Sequence, residues 1–164
     1  MKKVLKYVGE ITIKEKIVLS DPCYEHGIWC SEEIDNMLPG TYDCFIKEYT
    51  EIKNGKVEDY RVTDLIITHS KLKKNTNRIS KCVTDKIGVD SGTCGIYAEE
   101  YYKKYHTPRV NDAWYDKYVC YELEHVLILV GKGIISSAGY GDGSYGAYIK
   151  KEGGKTVGVR INYI

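Results

Sequence analysis

A chain of 164 residues is long enough to bury a core without disulfide or metal staples, and it reads as one domain over residues 1–164. Its formal net charge of +1 excludes a global electrostatic pull toward nucleic acid or membrane. Composition is ordinary except that 16 tyrosines stand against one phenylalanine. An apolar ring with a polar tip suits half-buried strands and binding surfaces alike.

Met1-Lys2-Lys3-Val4-Leu5-Lys6 begins like the basic region of a signal peptide, but charges through Lys16 interrupt any apolar stretch behind it. The longest apolar run, Val126-Leu127-Ile128-Leu129-Val130, is too short to cross a bilayer. A soluble, cytosolic protein with no membrane partner is expected, its six cysteines kept as free thiols.

Residues 4–8 and 11–19 read as strands, and Ile17-Val18-Leu19 reads as buried on both faces. Ser20-Asp21-Pro22 stops the second strand, because proline lacks the donor a ladder requires. Residues 23–30 form a compact loop, and Ser31 is a candidate N-cap for a helical turn over 32–37. Residues 41–50 and 57–69 are β-rich and are joined by Asn54-Gly55, the strongest hairpin signal in the chain. Residues 70–78 are polar and basic and read as a solvated loop, followed by a weaker strand over 79–87.

A glycine-rich segment, residues 88–95, precedes residues 96–105, whose composition is helical and which end before Pro108. Asp112 is placed to cap a short helix through Trp114 and Tyr118, and residues 118–130 fit both strand and helix spacing. Strands over 133–138 and 145–151 follow, with the glycine-rich residues 139–146 read as the hairpin connection between them. Gly153-Gly154 turns into a final strand that alternates Val157, Val159, Ile161 and Tyr163 with polar residues. The expected fold is α+β: mostly antiparallel β-sheet, as a sandwich or a partly closed barrel, with two or three short helices.

Three segments share a chemistry: Ser20-Asp21-Pro22-Cys23-Tyr24, Asp90-Ser91-Gly92, and Gly139-Tyr140-Gly141-Asp142-Gly143-Ser144-Tyr145. Each sets an aspartate beside serine, glycine or proline at a strand edge. Their order, with Leu38-Pro39-Gly40-Thr41-Tyr42 after the first and Val157-Gly158-Val159-Arg160-Ile161 at the end, resembles an uncharacterised family of small phage and bacterial proteins classed as a domain of unknown function. The resemblance runs from about Ile17 to Ile164 and is densest in residues 136–148. It implies a β-rich domain and a phage or prophage setting, and no catalytic residue comes with it.

Two readings of the aspartates stand side by side. In one, Asp21, Asp90 and Asp142 converge to hold a hard cation or activate a water, as a metal-assisted hydrolase of a phosphate-containing or nucleotide substrate would need. In the other, each makes an Asx-type turn, its carboxylate accepting backbone N–H groups two residues on. Gly141 to Gly146 formally satisfies G-x-G-x-x-G, but a strand follows it and not a helix, so no dinucleotide fingerprint is read. A backbone nest for an anion stays open. Cys23-x-x-His26-x-x-x-Cys30, with Cys44, has ligand-like spacing yet fits no standard zinc pattern, so no metal or cofactor is assigned.

A nucleophile made of Cys23 or Cys94 with one of His26, His69, His106 and His125 is a matter of spatial proximity. Lys71, Lys73, Lys74, Arg78 and Lys81 are read as phosphate contacts or as a solvated face. Tyr97, Tyr101, Tyr102, Tyr105, Trp114, Tyr115 and Tyr118 are read as a stacking platform for a planar ligand or as a helix packing face. The leading expectation is a non-enzymatic accessory protein of phage type. It binds a small anionic or nucleotide-like ligand, or a host protein, in the service of counter-defence. Its candidate ligand contacts are Asp21, Tyr24, Asp90, Ser91, Tyr140, Asp142, Ser144 and Tyr145. A toxin-immunity or pure protein-interaction domain is the further alternative, and the oligomeric state is open, a homo-oligomer included.

Overall fold

The computed structural model describes residues 2–164. Eleven strands form two antiparallel sheets that face each other as an open sandwich. Among the described residues no helix is long and apolar enough to cross a membrane.

The first sheet holds β1 (Lys3–Ile13), β4 (Gly40–Lys53), β5 (Lys56–His69), β6 (Lys81–Val89), β10 (Gly143–Glu152) and β11 (Lys155–Asn162). Its spatial order is β1-β4-β5-β11-β10-β6. The second sheet holds β2 (Ile17–Ser20), β3 (Glu32–Ile34), β7 (Thr93–Ala98), β8 (Val126–Leu129) and β9 (Gly133–Ser137) in the order β3-β2-β7-β9-β8. Helix α1 (Glu99–Tyr105) and helix α2 (Asn111–Tyr115), which runs on into a π-helical stretch at Asp116–Glu122, cover the outer face of this second sheet. The α+β class and the sandwich follow the expectation from sequence.

Alternation explains the layers. Val157, Val159 and Ile161 of β11 are fully buried, and Val159 and Ile161, with Tyr163 just after the strand, belong to the core between the sheets. Ile11, Tyr42, Ile46, Leu65, Ile67, Ile96 and Ile134 meet them there. In β2 all of Ile17, Val18 and Leu19 are buried, because that strand lies between the first sheet and the helices. Both expected two-residue hairpins form, with positive φ at Asn54 and Gly55 and again at Gly153 and Gly154.

Four local expectations are corrected. Residues 3–13 are one strand, bulged between Tyr7 and Gly9, and the break falls at residues 14–16, where the chain changes sheets. Residues 32–34 are strand β3, not a helical turn, because Ile34, Glu33 and Glu32 pair with Ile17, Val18 and Leu19. Residues 96–98 belong to β7, held between β2 and β9, so the helix starts only at Glu99. Residues 139–142 are not a hairpin: β9 lies in the second sheet and β10 in the first, and the segment crosses between them.

Candidate functional site

The first two aspartate motifs meet at one end of the sandwich. Asp21 follows β2 directly and is fully buried. Its Oδ1 accepts from the Cys23 N–H and the Ser91 hydroxyl, both at 2.7 Å. Its Oδ2 accepts from the N–H groups of Asp90 and Ser91, again at 2.7 Å. Four donors leave the carboxylate little lone-pair capacity for a cation. Asp21 is a latch between the β2–β3 loop and the β6–β7 turn.

The latch extends to the helices. The Tyr102 hydroxyl donates to the main-chain oxygens of Asp21 (3.1 Å) and Tyr24 (2.7 Å), and Asn111 Nδ2 donates to the Cys23 carbonyl (3.2 Å). The His26 N–H donates to the His106 carbonyl at 2.9 Å. Tyr24 in turn donates its hydroxyl to the Asp90 carboxylate. Burial first, and that hydrogen bond second, push the Tyr24 phenol above its ordinary range.

The third motif arrives beside them without joining the network. Gly143 pairs with Val89, so the 139–142 crossover and the Asp90 turn leave the sheet side by side. A Cβ on Gly92, which has φ of +73°, would stand 3.9 Å from the Gly141 Cα. The turn demands glycine there on conformational grounds. Asp142 is exposed, and among the described residues no three His, Cys, Asp or Glu side chains are grouped to hold a metal ion. Tyr145 points inward and donates to the Gly141 carbonyl at 2.6 Å. Tyr140 is exposed and lies under the Arg61 guanidinium, 4.2 Å from the ring centre, while Ser144 is exposed on β10. Asp21, Tyr24, Asp90 and Ser91 are therefore one cluster, and Tyr140, Asp142, Ser144 and Tyr145 are its neighbours.

The candidate nucleophile and zinc residues are engaged elsewhere, His125 against the Tyr60 ring at 4.3 Å. Burial, reinforced by the Asp21 carboxylate, pushes the Cys23 thiol well up, away from the thiolate a nucleophile needs. Cys94 and Cys44 are buried in the core, and their thiols are raised by burial as well. His26 meets Glu33 at 2.6 Å and His69 meets the Pro39 carbonyl at 2.9 Å. The zinc spacing thus has its Cys44 in the core and its His26 on a carboxylate. His106 is sealed between Tyr102, stacked on it at 3.8 Å, and Trp114 at 4.4 Å. Burial holds the His106 imidazole down to about 4.

The aromatic cluster divides between two roles. Tyr97 and Tyr102 are fully buried and Trp114 nearly so, which makes them the packing face of the helices on the second sheet. Tyr101, Tyr105 and Tyr118 are half-buried and, with Trp114, line a groove of about 400 Å³ between α1 and α2. Trp114 Nε1 donates to the Tyr101 hydroxyl at 2.7 Å, which fixes both rings. Burial pushes the Tyr101 phenol up to about 12. Lys117 lines the groove and lies over the Tyr118 ring at 4.8 Å, and Lys104 lies over Tyr105 at 5.3 Å. A second depression shares Tyr101 and Tyr118 and continues to Val130 and Lys132. Sequence spacing marked these rings but did not separate the packed from the accessible ones.

No family model, curated protein or solved structure matches this chain.

Proposed function

We propose that the chain is a non-enzymatic binding protein for a small, planar, anionic ligand of nucleotide type, held in the groove between α1 and α2. The observation that carries this is the aromatic wall of Tyr101, Tyr105, Trp114 and Tyr118 with Lys117 beside it. Planar rings stack on such faces, and an ammonium group at the rim matches a phosphate. Tyr97, Tyr102 and Trp114 pack on the sheet, and Tyr101, Tyr105 and Tyr118 pack against them while leaving part of each ring open to the groove. The engaged states of Asp21, Cys23 and His106 favour binding over catalysis.

The six unpaired cysteines support a reducing, cytosolic compartment. In the phage setting that the motif resemblance implies, sequestering a nucleotide-type signal would blunt a host response. A host protein is the second reading of the same face. Val110, Tyr121 and Val130 are exposed in the helical layer and on the loop after β8, at 38%, 84% and 87%.

Fluorescence tests the first reading. With exposed Trp29 replaced by phenylalanine, Trp114 is the remaining reporter. Nucleoside mono- and diphosphates are expected to quench it saturably, and Tyr118→Ala to weaken that response at least tenfold. No spectral change at millimolar nucleotide would overturn the reading.

A further inference from the structure

The outer face of the first sheet carries a different surface. Between β5 and β6 the chain makes a 3-10 turn at Ser70–Leu72 and then crosses that face as a strap. Beyond Leu72 the strap is polar except at Ile79, which is 4% exposed and packs with Phe45, Ile66 and Tyr148. Its seat exists because residue 158 is glycine: a Cβ there would stand 3.1 Å from the Ile79 side chain. Anchoring Ile79 also fixes Arg78, which is held at φ of +64°, a left-handed conformation disfavoured for a side chain of that size.

The strand after the anchor begins at Lys81, which pairs with Ile149 on β10, and the next residues of β10 are Lys150 and Lys151. Pairing distant segments in this way brings Arg78, Lys81, Lys150 and Lys151 to one cleft of about 660 Å³. Among the described residues, none of these four side chains has a hydrogen-bond acceptor or a carboxylate within ion-pair distance. The whole chain carries only +1, so this is a local concentration of charge. Like charges sharing a cleft raise one another's energy, and an anion between them relieves it.

The surroundings limit which anion fits. Glu152 lines the same cleft, and Lys81 and Lys151 border a neighbouring depression that carries Glu32, Glu33 and Asp35. Negative charge therefore bounds the cationic cleft, which favours a compact, multiply charged anion over a long polyanion laid across it. No aromatic ring lines the cleft, so it reads phosphate and not a base.

We propose that this cleft is a second ligand site, which binds a compact polyphosphate group. That group is either free di- or triphosphate or the polyphosphate moiety of a nucleoside triphosphate. The site is separate from the aromatic groove, which lies over the other sheet.

Isothermal titration of the full chain with sodium tripolyphosphate, a nucleoside triphosphate and a mixed-sequence single-stranded oligonucleotide tests the proposal. Tripolyphosphate is expected to bind in the micromolar range and to weaken as salt rises from 50 to 200 mM. The double variant Arg78→Ala/Lys150→Ala should lose at least tenfold in affinity, and Lys81→Ala a smaller factor. Lys56→Ala, at the tip of the β4–β5 hairpin, should change nothing. Equal affinity for tripolyphosphate and the nucleoside triphosphate identifies the free group as sufficient, and a nucleoside advantage removed by the double variant identifies the nucleotide as the source. Three results would overturn the site: no binding of tripolyphosphate at millimolar concentration, binding indifferent to the double variant, or oligonucleotide binding tighter than tripolyphosphate.

Discussion

The two outer faces of the sandwich are covered by opposite means. Over the second sheet, α1 and α2 are sewn to the body through Tyr102, Asn111 and the loop that Asp21 holds. Over the first sheet, the 70–80 strap is clipped down by one buried side chain, Ile79. The first arrangement shares its hydrogen bonds with the core, so the helices should open only when the molecule does. The second makes few buried contacts, so the strap should open locally and at lower cost. An aromatic groove walled by fixed rings and a cationic cleft lined in part by a loosely held loop are the two outcomes.

The comparison breaks most visibly at Asp21. Asp21→Ala leaves the N–H groups of Cys23, Asp90 and Ser91 without their acceptor in a part-buried turn. A loss of roughly 3–5 kcal/mol is expected in urea denaturation, with nucleotide response at the helical groove weakened first. A change below about 1 kcal/mol would show that the carboxylate is not a latch.

Acid should separate the faces next. His106 has a folded-state value of about 4, against about 6.5 for a free histidine, so the unfolded chain takes up the proton first. The stability due to the neutral imidazole is complete above pH 6.5 and is lost as pH falls toward 4, about 3 kcal/mol in all. Hydrogen exchange should show α1 and α2 losing protection together with the core strands across that window while residues 70–80, which open locally, change little, and His106→Phe should flatten the slope. An unchanged slope in that variant would assign the acid sensitivity elsewhere.

The smallest effect is expected at the clip. Ile79→Val removes one methylene from a small cluster and should cost about 1 kcal/mol. Faster exchange confined to residues 70–80 and weaker tripolyphosphate binding should accompany it, with the nucleotide response of the groove unaltered. Equal loss at both faces would mean that the strap is as integrated as the helices.

Much of this was legible in the chain. Asn54-Gly55 and Gly153-Gly154 each turn a hairpin, because a two-residue loop needs positive φ and these residues supply it. The alternation over residues 156–163 reported its own buried face. Two helical readings failed for one reason. Residues 32–34 and 96–98 are held as strands by partners far along the chain, Ile17 to Leu19 in both cases, and pairing outweighed local propensity. The candidate site was half legible: Asp21, Tyr24, Asp90 and Ser91 do come together, while Tyr140 turns out to Arg61 and Tyr145 turns inward.

The three aspartate motifs mark the division. The residues alone placed Asp21, Asp90 and Asp142 beside turn-forming residues at strand edges, since glycine, proline and serine beside an aspartate act over two or three positions. Only the tertiary structure decided that Asp21 is buried under four donors while Asp142 stays in solvent. It likewise brought Arg78 beside Lys150, 72 positions apart in number, through the pairing of β6 with β10. Turn chemistry and alternation are local properties of a chain. Burial and the meeting of like charges depend on which strands pair, and sandwich pairing joins segments whose separation carries no local signal.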